Sequence, residues 1–454
     1  MAEVNALDLG SRMHNALNPT TPASPCAPLA LPLLPPEPPN HPAAEKTPVH
    51  RDGRFRRLWA VGLLSSLVRW IDVLSFSLVT YEQTHSAFWV ACMMMLRMVP
   101  LAILGVVFGD LSARYPRRRL LLICQGALLG TTLALLLASV LGVLQVWHLA
   151  LAAVVSGIMW SGDMPMRRAF MGDVVGAARM GKAMALDSVA SNGSRLIGPS
   201  LGGLLLAAGG MSAVLLVDVL MYGLVLWALL GLREPKTAQD AERDPTLPRM
   251  RLPRPGVLAM LVSGWRTARE TPRLTAILCN TLIFNIFCWP VLSMVPVIAQ
   301  QQLQLGTQGT GLLASMDGLG SLLGALLLTV VARRHGLIYM GGTVLFLAML
   351  PLFALSRQPL LSAVALTLLG VAQGAFAVMQ STLTFLAVPP ERRLQAMGLV
   401  TTCIGIAPLG FVLVGALAEW LGAPGAAMAC SAGGFVTLAL TRSWWRPCVQ
   451  AQTA

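Results

Sequence analysis

Charged residues are scarce along this chain. Asp, Glu, Lys and Arg make up 12% of its 454 residues, whereas apolar residues make up 55%. Soluble domains carry roughly 25% charged residues, so these charges are too few to cover a water-exposed globule of this length. The composition excludes an ordinary soluble protein and indicates that a lipid bilayer, rather than water, surrounds most of the surface.

Closely paired cysteines and catalytic motifs are also missing. The scattered cysteines exclude a disulfide framework and a zinc site; they are Cys26, Cys92, Cys124, Cys279, Cys288, Cys403, Cys430 and Cys448. The chain has no H-E-x-x-H motif, and its G-x-S-x-G match, Gly198 to Gly202, lies within a long apolar segment instead of at the strand-to-helix turn of a nucleophile elbow. These absences argue against an enzyme, a bound metal and a cofactor.

One segment imitates a nucleotide-binding loop. The stretch from Gly176 to Lys182, "GAARMGK", matches the first seven positions of a P-loop. The next residue is Ala183, where Ser or Thr would hold magnesium, and no strand precedes the loop. We therefore expect no nucleotide partner.

Long apolar segments are abundant. Each is about 17–25 residues long, the length that crosses a bilayer core of roughly 30 Å. The sequence predicts twelve membrane-spanning helices, at residues 58–80, 87–108, 120–141, 147–166, 183–207, 212–232, 274–298, 309–331, 338–356, 361–386, 396–419 and 425–441.

The distribution of cations predicts the orientation. With a cytoplasmic N-terminus, the inside loops hold the clusters at 114–119, 167–168, 179–182, 233–273, 333–334 and 392–393, and the outside loops hold Arg357. Cytoplasmic loops retain Lys and Arg during insertion. The net charge of +13 is therefore a topology signal, and no nucleic-acid partner is expected. We predict a multi-pass protein of the inner or plasma membrane with both termini in the cytoplasm.

Composition divides the chain into five parts. Residues 1–50 are Pro-rich and without periodicity, which predicts a disordered cytoplasmic tail. Residues 51–232 and 274–441 are expected to form two six-helix bundles. Residues 233–273 are expected to form a charged cytoplasmic linker that ends in an amphipathic helix, and residues 442–454 a second cytoplasmic tail.

An internal repeat supports the division into two halves. "VVGAARMGKAMAL" at 174–186 aligns without gaps with "AVPPERRLQAMGL" at 387–399, a shift of 213 residues. Each copy joins an even-numbered helix to the next odd-numbered one. Two repeated bundles around a midplane site are typical of secondary transporters.

The loop between the second and third helices resembles the marker loop of the major facilitator superfamily, G-x-L-a-D-r-x-G-r-r/k. Its pattern positions are filled by Gly109, Leu111, Arg114, Arg117 and Arg118. The chain departs from the pattern with Ala at 113 and Pro at 116. The resemblance implies a cytoplasmic gate loop, with Asp110 as a substitute for the missing Asp. The alternative is a basic loop that only sets orientation.

A second resemblance covers residues 54–440. "MALDSVASNGSRLIGPSLGGLLLA" and "APLGFVLVGALAEWLGA" are similar to the enterobactin-exporter and macrolide-efflux branch of the superfamily. Gly198, Pro199, Gly202 and Gly203 match the end of a motif associated with drug/proton antiporters, in which proline bends the fifth helix and glycines allow close packing. The resemblance implies an all-α membrane protein of the major facilitator fold. Small-residue packing alone is the alternative explanation for these glycines.

Charges inside the predicted helices are the candidates for mechanism. Arg69, Asp72, Arg97, Arg195 and Asp187 each cost about 2.5–3.5 kcal/mol at the centre of a membrane helix, so they must face a wet cavity or one another. Arg69 and Asp72 share a helix face, and mutual neutralisation alone is an alternative to function.

Roles are assigned to these charges as hypotheses. Asp72 is the first candidate for proton coupling and Asp187 the second, because a carboxylate balanced between desolvation and a nearby Arg can bind and release protons. Arg69, Arg97, Arg195 and Asp317 are candidates for the substrate cavity, and Asp317 and Asp218 also for gates. Further polar candidates in the second half are Asn280, Asn285, Gln373 and Gln380.

The sequence thus predicts a secondary active exporter that works by alternating access and proton antiport. The three arginines favour an anionic or polar-amphipathic cargo such as a siderophore. The alternatives are a lysophospholipid-type flippase of the same fold, or a membrane receptor or scaffold that transports nothing.

Overall fold

The protein was analysed as a computed structural model that describes residues 49–232, 270–331, 335–389 and 392–445. The predictions of a disordered tail, of a linker with an amphipathic helix and of a C-terminal tail lie largely outside these residues. Along the described parts the chain runs almost entirely as helices joined by short loops. A bilayer favours helices with short connections, because backbone groups inside it must be hydrogen-bonded within the protein.

The first half contains α1 (Gly53–Thr84), α2 (Ala87–Arg114), α3 (Arg117–Val140) and α4 (Val146–Val175). A continuous helical stretch, Ala177–Leu230, follows and is interrupted at Gly209 and Gly210. We divide it there into α5 (177–208) and α6 (211–230). Polar side chains cap the early helices, since Asp52 accepts the Arg54 amide at the start of α1 and Ser86 accepts the Trp89 amide at the start of α2.

The second half begins with α7 (Pro272–Gln301). This helix contains a π-helical turn at Phe284–Cys288 and a 3-10 turn at Trp289–Met294. Then come α8 (Thr307–Val331), α9 (His335–Leu355) and α10 (Pro359–Ala387). The last stretch, Arg393–Ile404 and Ala407–Leu440, is interrupted at Gly422, so it forms α11 (393–421) and α12 (423–440).

The predicted number of spans is confirmed. Ten helices in the described parts are long and apolar enough to cross a bilayer, and two of these cross twice because glycines break them. Gly210 and Gly422 have positive φ of 64° and 75°, a conformation that a residue with a Cβ rarely adopts. The sequence placed the loops between the spans at these same points.

The helix ends define two faces of the protein. At one face, which we call the arginine-rich face, Arg57 at the start of α1 donates to the Gly231 carbonyl over 2.6 Å, and Arg118 at the start of α3 donates to the Leu230 carbonyl over 2.9 Å. At the other, the arginine-poor face, Ser139 near the end of α3 hydrogen-bonds Ser212 at the start of α6 over 2.8 Å. α1 and α3 therefore run in one direction and α6 in the opposite one.

The fourth helix is longer than predicted. It continues to Val175, whereas the sequence placed its end at 166 and assigned Arg167 and Arg168 to a loop. Both arginines lie on the helix and form ion pairs with Asp187 on α5. Asp187 thus supplies a counter-charge to Arg167, which is buried, and to Arg168, whose side chain is 37% exposed.

Small residues bring helices together within the second half. A Cβ on Gly370 of α10 would lie 2.9 Å from Gly320 Cα of α8, and one on Gly374 would lie 2.6 Å from the Ser321 carbonyl oxygen. Such separations allow backbone-to-backbone packing. Large apolar side chains meanwhile point away from the bundle, for example Trp227 at 71% and Trp420 at 87% exposure, as expected of a surface that faces lipid.

Candidate functional site

A central cavity lies between the two halves and has a volume of about 80 Å³. That is room for several water molecules, but it is small for a drug-sized ligand, which occupies a pocket of about 300–1,000 Å³. Residues from α1, α2, α5, α7, α8 and α11 line it: Trp70, Val73, Leu74, Ser77, Met94, Arg195, Pro199, Trp289, Leu292, Ser293, Val295, Pro296, Ala314, Asp317 and Phe411. The wall is mainly apolar and carries one group of each charge.

The charged lining residues form an ion pair that joins the halves. Arg195 on α5 donates from Nε to Asp317 Oδ2 on α8 over 2.9 Å, and its Nη2 contacts the same oxygen. Nη2 also donates to Gln373 Oε1 on α10 over 2.7 Å. The structure thus brings together two residues that the sequence proposed for the cavity.

Aromatic rings surround this ion pair. The Arg195 guanidinium lies 5.1 Å from the centre of the Trp70 ring, a cation–π distance. Trp289 and Phe411 meet edge to face with ring centres 5.5 Å apart. The π-helical and 3-10 turns of α7 place Trp289 beside the cavity, as helical irregularities often do at functional sites.

Contacts between the halves close the arginine-poor side of the cavity. Tyr81 at the end of α1 hydrogen-bonds Gln301 at the end of α7. Ser86, between α1 and α2, donates to Glu419 Oε2 on α11 over 3.0 Å. Deeper in the bundle, a Cβ on Gly203 of α5 would lie 3.0 Å from Gly311 Cα of α8. We call these contacts the seal.

The glycine motif of α5 forms part of this closure. A Cβ on Gly198 would lie 2.5 Å from Trp70 Cβ, and one on Gly202 would lie 3.1 Å from the Ile71 carbonyl oxygen. Pro199 lies inside the helix and lines the cavity. Its neighbour Ser200 donates its amide to Ser315 Oγ on α8 over 3.0 Å. The motif therefore packs α5 against α1 within the first half and against α8 across the halves.

Arg69 lies in a second polar cluster, inside the first half. Its Nη2 is 4.0 Å from Asp163 Oδ2, and its guanidinium lies 4.5 Å from the centre of the Trp160 ring. Gln125 donates to Asp163 Oδ1 over 2.8 Å. These four residues border a cavity of about 10 Å³, about the space of one water molecule.

Sequence reasoning missed Asp163. It lies inside the predicted fourth span, so the cost of a membrane charge was the signal that could have found it. The sequence paired Arg69 with Asp72 instead, since the two share a helix face. The structure offers Arg69 a closer carboxylate from α4, because residues on one helix face can each point toward a different neighbour.

Asp72 faces a carboxyl group rather than Arg69. The side chains of Asp72 on α1 and Asp218 on α6 interact electrostatically, and Arg97 on α2 is a cation that acts on both. Neither carboxylate oxygen of Asp218 has a hydrogen-bond partner among the described residues. Arg97 also donates to the Arg69 carbonyl over 3.3 Å. Asp72 is 7% exposed and Asp218 is fully buried. This carboxyl pair does not line the central cavity.

Asp187 is held by arginines. Arg167 Nη1 donates to Asp187 Oδ1, and Arg168 Nε donates to Oδ2 over 3.1 Å. Arg167 is also 3.9 Å from Asp163 Oδ2. Asp187 is thus the link between α4 and α5 at the arginine-rich end of the first half.

The marker loop is only partly described. Gly109, Asp110 and Arg114 belong to the last turns of α2, and their side chains lie outside the described residues. Arg117 pairs with Asp173 at the end of α4. Arg118 donates to the carbonyls that end α6. These cations tie together helix ends within the first half.

The other polar candidates of the second half separate into two groups. Gln373 contacts Arg195, as described above. Gln380 donates to Thr281 Oγ1 over 2.8 Å, and Asn285 donates to the Thr281 carbonyl over 2.9 Å. Asn280 is buried, and its side chain has no hydrogen-bond partner among the described residues.

Similar proteins are transporters. The family described as transmembrane secretion effector matches residues 45–453. The MFS-type transporter YfiS of Bacillus subtilis (strain 168) is 23% identical over 388 residues, 82% of this chain and 88% of that protein. The staphyloferrin A transporter of Staphylococcus aureus (strain NCTC 8325 / PS 47) is 21% identical over 277 residues, 60% of this chain and 66% of that protein.

The fold is similar to that of solved transporters. A POT family transporter in complex with a thioalcohol-conjugated peptide superposes with a TM-score of 0.70 at 12% identity, over 87% of this chain and 96% of that one. At this identity the likeness concerns the fold. Together with the family match, it shows that the chain belongs to the transmembrane secretion effector family of the major facilitator superfamily and is a multi-pass membrane transporter rather than an enzyme.

Proposed function

We propose that the protein is a secondary active exporter of a small amphipathic molecule, a siderophore or a drug-like compound, and that it works by alternating access coupled to protons. The observation that carries the proposal is the central cavity, which both halves line and which the seal separates from one face. The resemblance to enterobactin exporters and macrolide-efflux proteins supports the direction, and the relative named as a staphyloferrin A transporter supports a siderophore cargo.

Alternating access follows from where the seal lies. Rocking one bundle against the other around a midplane site is the usual mechanism of such repeats. In the conformation described, Tyr81–Gln301, Ser86–Glu419 and the Gly203–Gly311 approach hold the halves together at the arginine-poor face. Opening this face requires all three to separate.

The distribution of arginines supports an orientation of the protein in the membrane. Positively charged loops stay in the cytoplasm, so the arginine-rich face is assigned to the cytoplasm and the seal to the outside.

We expect labelling to support this orientation. Single cysteines replace two exposed residues in a variant without the native cysteines: Arg119, in the first turn of α3, and Val143, in the loop that follows α3. In intact cells, a membrane-impermeant maleimide should label position 143 and leave position 119 unlabelled until the membrane is permeabilised. Labelling of position 119 in intact cells would invert the proposed orientation.

Proton coupling is assigned to Asp72. Two carboxyl groups placed together in a buried site disfavour simultaneous ionisation and tend to share a proton. Arg97 supplies a single counter-charge to Asp72 and Asp218. One proton can therefore enter or leave this pair as access alternates. Asp187, which two arginines hold, remains the second candidate.

We expect Asp72→Asn to uncouple transport from the proton gradient. A metabolite and drug-retention profile of a knockout strain first identifies a cargo. That cargo is then added to proteoliposomes loaded with a pH-sensitive dye. The variant should lose cargo-dependent proton movement at least tenfold while it retains cargo exchange without a gradient, because an amide cannot carry the proton.

Asp173→Asn is the matched control, because this Asp lies on α4 outside the carboxyl pair. Cargo-dependent proton movement that is equal in Asp72→Asn and Asp173→Asn would remove Asp72 as the coupling residue. If the unmodified protein transports no cargo, a receptor or scaffold is favoured instead. If lysophospholipids are the only compounds that compete with the cargo, a flippase is favoured.

A further inference from the structure

Arg195 and Asp317 are the charged groups among the residues that line the central cavity. Their side chains are 13% and 11% exposed, so the cavity reaches both. An ion pair shielded from water gains little net stability over apolar packing, yet this pair occupies the place where a ligand would bind.

The pairing leaves one oxygen of Asp317 unused. Asp317 Oδ2 accepts from both Nε and Nη2 of Arg195, while Asp317 Oδ1 is buried with no hydrogen-bond partner among the described residues. A guanidinium binds a carboxylate best when two parallel N–H groups each meet a separate oxygen. Asp317 is attached to α8 and does not reach that arrangement, whereas a free carboxylate is able to turn into it.

The surroundings of Arg195 match the rest of an amphipathic molecule. Trp70 lies against the guanidinium, and the Trp289–Phe411 pair provides a further aromatic surface of the same cavity. Gln373 fixes Arg195 Nη2 from the second half. An anion-binding group and an apolar wall therefore lie within one cavity.

We infer that the cavity binds an amphipathic carboxylate, whose carboxyl group replaces Asp317 on Arg195 while its apolar body packs on Trp70, Trp289 and Phe411. The inference rests on the proposed transport function and narrows its cargo class. Asp317 is then an internal competitor that occupies Arg195 in the empty protein. When the ligand replaces Asp317 on Arg195, one of the direct ties between α5 and α8 is lost, while the Ser200–Ser315 hydrogen bond remains.

Binding measurements on three variants test this assignment. The probe is 2-naphthylacetate, and its neutral amide is the matched ligand. Both are titrated into the protein in lipid nanodiscs, with protein-free nanodiscs as the blank. Asp317→Asn should bind the acid about tenfold more tightly than the unmodified protein, because a charged competitor is gone, and Arg195→Gln about tenfold more weakly. Affinity for the amide should change little.

The double variant Arg195→Gln/Asp317→Asn controls for folding. It keeps a neutral hydrogen-bonding pair between α5 and α8, and it should bind the amide normally and the acid as weakly as Arg195→Gln does. Equal loss of acid binding in Asp317→Asn and Arg195→Gln would show a purely structural pair and overturn the inference. Unchanged acid binding in Arg195→Gln would overturn it too.

A lipid headgroup is the competing source of an anion. Lysophosphatidylglycerol that displaces 2-naphthylacetate through Arg195 at lower concentration than any soluble carboxylate would overturn the assignment in favour of a phospholipid. Because binding is measured at equilibrium, it does not depend on transport. If the protein binds the acid selectively but moves no cargo in proteoliposomes, the exporter proposal is contradicted and this inference is not. If it transports cargo without a preference for carboxylates, this inference is contradicted and the exporter proposal is not.

Discussion

Gly203→Val is expected to reduce transport at least about fivefold. The Cβ of any larger residue at 203 would lie 2.5 Å from the Thr307 carbonyl oxygen and 3.0 Å from Gly311 Cα. Both neighbours are backbone atoms, so no side chain can turn away. Overpacking costs about 1–3 kcal/mol, which corresponds to about 5- to 150-fold in the population of the sealed conformation. The valine should hold the arginine-poor face open.

Spin labels measure this opening directly. Labels at Glu82 on α1 and Gln308 on α8, both exposed near the arginine-poor face, should report a longer distance in Gly203→Val than in the unmodified protein. Gly193→Val is the control on the same helix, because a Cβ at 193 meets nothing within 4 Å. A Gly203→Val protein with the original distance and full transport would show that the seal does not depend on glycine packing.

Asp187→Ala is expected to destabilise the protein by about 3–5 kcal/mol, the usual cost of leaving a buried charge without its partner. Asp187 is 1% exposed and Arg167 is 4% exposed. Removal of the carboxylate leaves Arg167 with Asp163 at 3.9 Å as its nearest remaining counter-charge. The midpoint of thermal unfolding in detergent should fall well below that of the unmodified protein.

Asp173→Ala is the control for this loss. Asp173 also pairs with an arginine, Arg117, but both side chains are 27% exposed. An ion pair that water reaches contributes about 0–1 kcal/mol, so the unfolding midpoint should scarcely change. Equal midpoints for the two alanine variants would contradict a structural role of Asp187. That result would favour proton coupling over a structural role for Asp187.

These two results concern different requirements of a transporter. Gly203 lies where the halves must meet and separate, so a side chain there alters the balance between conformations. Asp187 lies within one half, where it joins α5 to α4, so its loss weakens the bundle itself. The Arg195–Asp317 pair differs from Asp187, because it joins the two halves and also lines the cavity.

The twelve spans and their loops followed from the sequence because a bilayer core has a fixed thickness. Any apolar run near 20 residues is long enough to cross it, and the sequence placed the breaks at Gly209–Gly210 and Gly422 correctly. The end of α4 was misplaced by about nine residues. Arg167 and Arg168 look like a membrane boundary until Asp187 is known to pair with them.

The sequence by itself also identified most of the buried charges, since each is costly in lipid wherever its helix lies. Only the tertiary structure decided which charges meet. Arg69 contacts Asp163, Asp72 faces Asp218, and Arg195 reaches across the halves to Asp317. The hydropathy of a segment predicts how deep each of its side chains lies in the membrane. The partner of a buried charge depends instead on how the neighbouring helices are ordered and rotated. That arrangement is set by packing between residues that are far apart in the chain.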